Sequence, residues 1–137
     1  MNHFDFLDTA ARLIATKNPT EADIRSAMSR VYYAVYHHVL LWWKSHNFPD
    51  YRDRGHVKIQ MALSNAGIPN VKKFSIDMKL LNSDRRDADY ELALKIPLNR
   101  GQSILGRARN SITAFDALDK NTLEAGIKSY LRRTNQI

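Results

Sequence analysis

From Glu21 to about His46 the chain places apolar and aromatic residues on more than one face of what the spacing predicts to be its longest helix. Ile24, Met28, Val31, Val35, His38 and Trp42 form one stripe at three- and four-residue steps, and Tyr32, Tyr36, Val39 and Trp43 form a second. A helix apolar on one stripe lies on a surface, whereas one this broadly apolar is enclosed in a bundle or shared with a second subunit. Its start is marked chemically. Lys17-Asn18-Pro19 breaks the preceding element, Thr20 is an N-cap, and Glu21 and Asp23 place negative charge in the first turn. The polar remainder is Arg25, Ser29, Arg30, His37 and Lys44. Arg30, His37 and Lys44 recur every seven residues and so face one way, as a solvated strip or as an edge that binds.

The other segments follow the same period. Phe4, Leu7, Ala11 and Ile14, with Phe6, Ala10 and Leu13 beside them, predict a first helix over about 4–16. After the polar loop Phe48 to Gly55, a third is predicted from His56 to Asn65 with Val57, Met61 and Ser64 on one side and Ile59 and Leu63 near them, ended by Gly67 and Pro69. A fourth runs from about Asn70 to Tyr90. A fifth runs from about Leu98 to Leu118 with Leu105, Ala108, Ile112 and Phe115 as its core stripe, and Asn121-Thr122 cap a short sixth through Arg133. No strand-type alternation persists, and there is no internal repeat. The expected fold is all-α: one domain over 1–137, five to six helices in a bundle, with its core over about 4–119 and a short C-terminal helix over about 122–133.

With 137 residues, 44% of them hydrophobic, the chain has enough apolar material for one core. It contains no cysteine, which excludes disulfides, thiol catalysis and thiolate metal sites. An acid stands at Asp5 where a secretory leader would carry a base, and the run Val39 to Trp43 is too short to span a bilayer. The expectation is therefore a cytoplasmic protein with no membrane contact. Lysine and arginine outnumber acids 21 to 14, a net charge of +7, which favours a polyanion or an acidic partner.

Several familiar signals carry nothing. Gly101 to Gly106 has the glycine spacing of a phosphate loop, but Arg107-Ala108 follows where lysine and a hydroxyl residue belong, and no strand precedes it. The five histidines have no spacing that puts two ligands on one helical face, so neither a metal nor a cofactor is expected. The aromatics of the second helix fit a core better than a stacking platform. Tyr33 and His37, four apart, lie along one edge within hydrogen-bonding reach.

The fourth helix ends in Leu80-Leu81-Asn82-Ser83-Asp84-Arg85-Arg86-Asp87-Ala88-Asp89-Tyr90. Its core stripe, Val71, Phe74, Met78 and Leu81, continues onto Arg85 and then Asp89, so the helix either emerges into solvent there or lines a polar groove. Arg85 and Asp89 share one side, Arg86 and Tyr90 another. Two roles fit: an internal Arg85–Asp89 bridge that fixes helix packing, or an edge where guanidinium binds phosphate bidentately beside a proton carrier.

Ser29-Arg30-x-Tyr32-Tyr33-Ala34 with His37 in one helix, His56 after the loop, and Leu81 with Arg85-x-x-Ala88-Asp89-Tyr90 together resemble the prokaryotic HEPN domains, in particular a small standalone group with an Arg-x-x-Ala-Asp-Tyr signature. The likeness spans about residues 5–119. It implies a helical bundle, commonly a homodimer with a polar groove at its two-fold interface, and for many members metal-independent RNA cleavage in toxin–antitoxin or phage-defence settings. Those enzymes use an arginine followed within a few residues by histidine. Here the corresponding window, Asp89 to Ala93, holds none, and tyrosine as a residue type is a poor base near neutral pH. The resemblance thus implies Arg85, Tyr90, His56 and His37 as candidate catalytic residues. Arg86, Asp89, Arg30 and Tyr33 are the candidate binding residues. RNA is the implied partner, or else another chain, such as a nucleotidyltransferase or nuclease encoded nearby, to which a non-catalytic module would dock.

Overall fold

The computed structural model describes all of Met1–Ile137 and contains six helices and no strand. They are α1 Phe4–Ala15, α2 Glu21–Lys44, α3 Gly55–Ser64, α4 Pro69–Tyr90, α5 Leu98–Asp116 and α6 Lys120–Arg133. The expected all-α class is thus observed. No helix is long and apolar enough to cross a membrane.

The broad apolar surface of α2 explains the architecture. Its buried residues include Ile24, Met28, Val31, Tyr32, Val35, Val39 and Trp43, and they are satisfied by α1, α4 and α5 packing around it. Each such side chain removed from water contributes about 1.5–3 kcal/mol, which makes α2 the principal stabilising element. Its start is a capping box. Thr20 Oγ1 accepts from the Asp23 amide at 3.1 Å and the Asp23 carboxylate accepts from the Thr20 amide at 2.9 Å. Where α2 ends, the indole of buried Trp43 donates to the Pro49 carbonyl at 2.9 Å, tying the following loop to the core.

Two local expectations are corrected, and a third is observed. The buried face of α3 is Ile59, Ala62 and Leu63, while Met61 is nearly half exposed, because α3 meets both α4 and α6 and so centres its buried face on Ile59 and Leu63 rather than on Val57, Met61 and Ser64. The cap of α6 is Asp119, two residues before the expected Asn121-Thr122 pair, and its carboxylate accepts from the amides of both. The glycines of the loop-like motif lie inside α5. A Cβ on Gly101 would come within 3.0 Å of Ile24, so that glycine lets α5 approach α2 closely.

The C-terminus of α4, which carries the charged stretch, is fixed by a residue of α2. The Arg25 guanidinium donates to the carbonyls of Asp87 (3.2 Å), Ala88 (3.0 Å) and Glu91 (3.0 Å) and to that of Leu94, and it pairs with Glu21. The carbonyls of Ala88 and Leu94 have no backbone donor of their own, while those of Asp87 and Glu91 also accept from the amides of Glu91 and Leu94.

Candidate functional site

The charges of the Leu80–Tyr90 stretch are divided among three neighbours. Asp84 pairs with Arg100 at 2.8 Å and with Arg107, and Asp87 pairs with Arg100 at 2.9 Å, so two of the three carboxylates hold α5 against α4. The third, Asp89, accepts from Arg85 at 3.2 Å and, across to α2, from the Ser29 hydroxyl at 3.4 Å. Arg86 forms no ion pair and is exposed.

Arg85 continues the core stripe inward, and only 7% of it is exposed. Its Nε and Nη2 both donate to Asn82 Oδ1, at 3.0 and 2.9 Å, while Nη1 goes to Asp89. Its guanidinium carbon lies 5.4 Å from the ring centroid of Tyr32 and 5.7 Å from that of Tyr33. A guanidinium held between two aromatic faces and bridged on its edge is a packing element between α2 and α4. To receive a phosphate it would have to give up Asn82 or Asp89.

On the outer side of that wall, α3 and α4 enclose a groove of about 520 Å³ lined by Tyr32, His56, Lys79, Asn82, Arg86 and Tyr90 among others. His56 is placed by the first turn of α3, which starts directly after Arg54 in a left-handed conformation, φ 53°. His56 Nδ1 lies 3.2 Å from the Tyr32 hydroxyl. Burial pushes the ionisation of that hydroxyl well up, so it stays protonated, and in the tautomer that puts the imidazole proton on Nε2 it donates to Nδ1. His56 then carries its own proton on Nε2, with its lone pair already used. Burial lowers the His56 pKa from the ordinary value, and the positive charges of Arg85, Arg54 and Arg86 lower it further. The groove therefore presents a neutral imidazole and an unpaired guanidinium. Tyr90 stands at the rim, 71% exposed.

The remaining candidates lie elsewhere. His37 faces α1, its ring stacked on Phe6 with centroids 5.7 Å apart, and Arg30 lies 5.9 Å over the same Phe6 ring. Tyr33 sits between the two regions. Its ring is 6.4 Å from that of His37, but no hydrogen bond joins them, which corrects the expected contact along that edge. The structure thus brings together His56, Arg86 and Tyr90, buries Arg85 behind them against half-buried Tyr33 and an exposed Asp89, and sets His37 and Arg30 on the neighbouring face of α2. Asn82 and Tyr32 complete the first region. Asn82 stands one helical turn before Arg85, a signal present in the sequence. The Tyr32–His56 contact joins two helices and has no such local signal.

No group of three or more His, Asp or Glu side chains converges as a metal cage. Compared with family models, with curated proteins and with solved structures, the chain shows no match.

Proposed function

We propose that this protein is an HEPN-type RNA-binding effector and that single-stranded RNA runs through the α3–α4 groove. The observation that carries this is Arg86, a guanidinium with no carboxylate partner, in the same groove as His56, whose Nε2–H is left free by the Tyr32 hydrogen bond. Arg86 supplies bidentate charge to a phosphate, and His56 donates a neutral hydrogen bond to a second oxygen. Tyr90 offers an exposed ring for base stacking, and the +7 net charge draws a polyanion in. Arg85 acts one layer back by holding Tyr32 in place. The toxin–antitoxin or phage-defence setting is part of the same proposal, since the HEPN resemblance is what suggests it.

The experiment is fluorescence anisotropy with labelled single-stranded RNA of several sequences over a salt series. Arg86→Ala is expected to weaken binding across all sequences and to reduce the salt slope by about 1, the share of one phosphate contact. An unchanged slope, or no binding by the wild-type protein to any of the RNAs, defeats the proposal.

One observation favours a second reading. Arg85 is sealed, as it would be in a non-catalytic HEPN module that docks to another chain. Ile76 and Leu80, about half exposed on α4, would then form the contact in a homodimer or with a partner nucleotidyltransferase or nuclease. Sedimentation equilibrium of the wild type against Leu80→Glu separates this case, since a dimer built on that face dissociates in the variant.

A further inference from the structure

The strip Arg30, His37 and Lys44, which recurs every seven residues along α2, takes no part in the α3–α4 groove. None of the three pairs with a carboxylate. Arg30 and Lys44 are exposed, and His37 is partly covered by the Phe6 ring stacked on it. Burial, and then the charge of Lys44, lowers the His37 pKa from the ordinary value, so at neutral pH it stands between the two cations as an imidazole with one N–H to donate. Apolar residues alternate with the strip. Ser26, Arg30, Tyr33, His37, Leu40 and Lys44 follow one another at steps of four and three, the register of a seam that faces a second helix. Beside that seam Leu41 is 64% and Met1 91% exposed, and with His3, Phe6, His37, Leu40 and Lys44 they line a groove of about 320 Å³ between α1 and α2. The start of α1 is tied in place, because His38 Nδ1 lies 2.9 Å from His3 Nε2 and His38 Nε2 lies 2.7 Å from Asp116 Oδ1 on α5. The groove is therefore already formed in the single chain.

Periodicity and charge select its occupant. Successive members of the strip stand about 10.5 Å apart along the axis of α2. Carboxylates seven residues apart on a second helix have the same repeat, and a helix crossing α2 at about 20° follows a stripe of that period. A nucleic-acid strand in a duplex carries a charge about every 3.4 Å of axis, and its backbone has no apolar ridge to cover Leu41 and Met1. A second copy of the chain is also unsuited. Antiparallel pairing centred on His37 sets Arg30 against Lys44, and parallel pairing sets each cation against its own equivalent, so like charges oppose in both.

We propose that the α1–α2 groove is a docking surface for an acidic amphipathic helix of another protein, whose carboxylates, seven residues apart, meet Arg30, His37 and Lys44 and whose apolar side chains cover Tyr33, Leu40 and Leu41. The surface is separate from the α3–α4 groove and from the Ile76 and Leu80 face of α4, and it does not depend on RNA binding. Arg30 and Lys44 give charge-assisted hydrogen bonds at the two ends, and the His37 N–H gives a third between them. The apolar ridge of the incoming helix removes Leu41 and Met1 from water, and the spacing of its carboxylates sets its register on α2.

The test is fluorescence anisotropy of the full-length protein with a labelled helical peptide of about three heptads, leucine at the first and glutamate at the fourth position of each, alanine and glutamine elsewhere. A second peptide carries lysine for glutamate, and a third has the composition of the first in scrambled order. Wild type is expected to bind the glutamate peptide and neither of the others. Arg30→Glu with Lys44→Glu should weaken that binding about tenfold or more and transfer it to the lysine peptide. Lys72→Glu with Arg109→Glu, an equal change of charge on exposed cations of α4 and α5, should leave it within about two-fold. Circular dichroism checks folding, and Arg30→Gln with Lys44→Gln replaces a reversed pair that does not fold, with the loss of binding expected and not the transfer. The proposal is overturned if wild type binds none of the peptides, if it binds the scrambled one equally well, or if both reversed pairs weaken binding alike. It is also overturned if sedimentation finds a wild-type dimer that the Arg30→Glu, Lys44→Glu pair dissociates, or if phosphatidylglycerol vesicles bind through the strip where the glutamate peptide does not.

Discussion

The Arg85 guanidinium lies 5.4 Å from the centroid of the Tyr32 ring, whose hydroxyl meets His56 on the other side. Arg85 thus reaches the groove through a tyrosine. Arg85→Ala removes two cation–π contacts and leaves Asn82 and Asp89 without their donor, and it is expected to cost about 2–4 kcal/mol of unfolding free energy. Arg85→Met, which fills the space without charge, should recover most of that loss. Urea unfolding of the three proteins measures it. If Arg85→Ala kept wild-type stability and lost RNA binding, Arg85 would be a phosphate ligand.

Arg25, largely covered at the end of α4, is a second guanidinium whose work is structural. By donating to carbonyls at the end of α4 it holds Arg86 and Tyr90 in register with the groove. Arg25→Ala should cost about 1–3 kcal/mol, in the range for hydrogen bonds to a charged group. It should also speed amide exchange selectively over the last turn of α4 and the loop to Ile96. Uniform exchange rates in that segment, relative to the rest of α4, would count against the capping role.

Three histidines, His3, His37 and His56, have pKa values lowered first by burial, so the folded state binds fewer protons there than the unfolded chain. Their contribution to stability is complete above the ordinary histidine value of about 6.5 and is lost as pH falls through their lowered folded values. The carboxylates held low, Glu21, Asp119 and Glu124, act in the same direction but only at lower pH. Urea midpoints at pH 7.5, 6.0 and 5.0 should therefore fall steadily. His56→Gln should make the fall shallower, and an unchanged fall would show that His56 does not contribute.

Much of the architecture was legible because local chemistry decides it. The Pro19 break, the Thr20 cap and the two stripes of α2 fix where that helix starts and that it must be enclosed, and the structure encloses it. The inward register of Arg85 was legible for the same reason, since it continues the core stripe of its own helix, whereas Asp89, one turn on, is exposed. What the sequence left open depends on contacts between helices far apart in the chain. The side of α3 that faces inward is set by α6 as well as α4. Nothing local in Arg25 indicates that it caps α4, more than sixty residues on. The His3–His38–Asp116 chain joins α1, α2 and α5, and each of its members alone looks like an ordinary polar residue.

Two helical glycines give opposite expectations for the same substitution. Alanine in place of glycine inside a helix ordinarily stabilises by about 0.5–1 kcal/mol, because the unfolded chain loses freedom. At Gly106, exposed in the middle of α5, an added Cβ meets nothing within 4 Å, so Gly106→Ala should gain that amount. At Gly126, in α6, the Cβ would stand 2.5 Å from the Ala66 carbonyl oxygen and 3.2 Å from the Ala66 Cβ, in the turn between α3 and α4. Backbone cannot yield there without moving the α3–α4 pair that forms the groove. Gly126→Ala is expected to lose about 1–3 kcal/mol by overpacking, despite the better helix propensity. Thermal melts of the two variants should move in opposite directions, and a stabilised Gly126→Ala would mean that α6 does not pack on that turn as described.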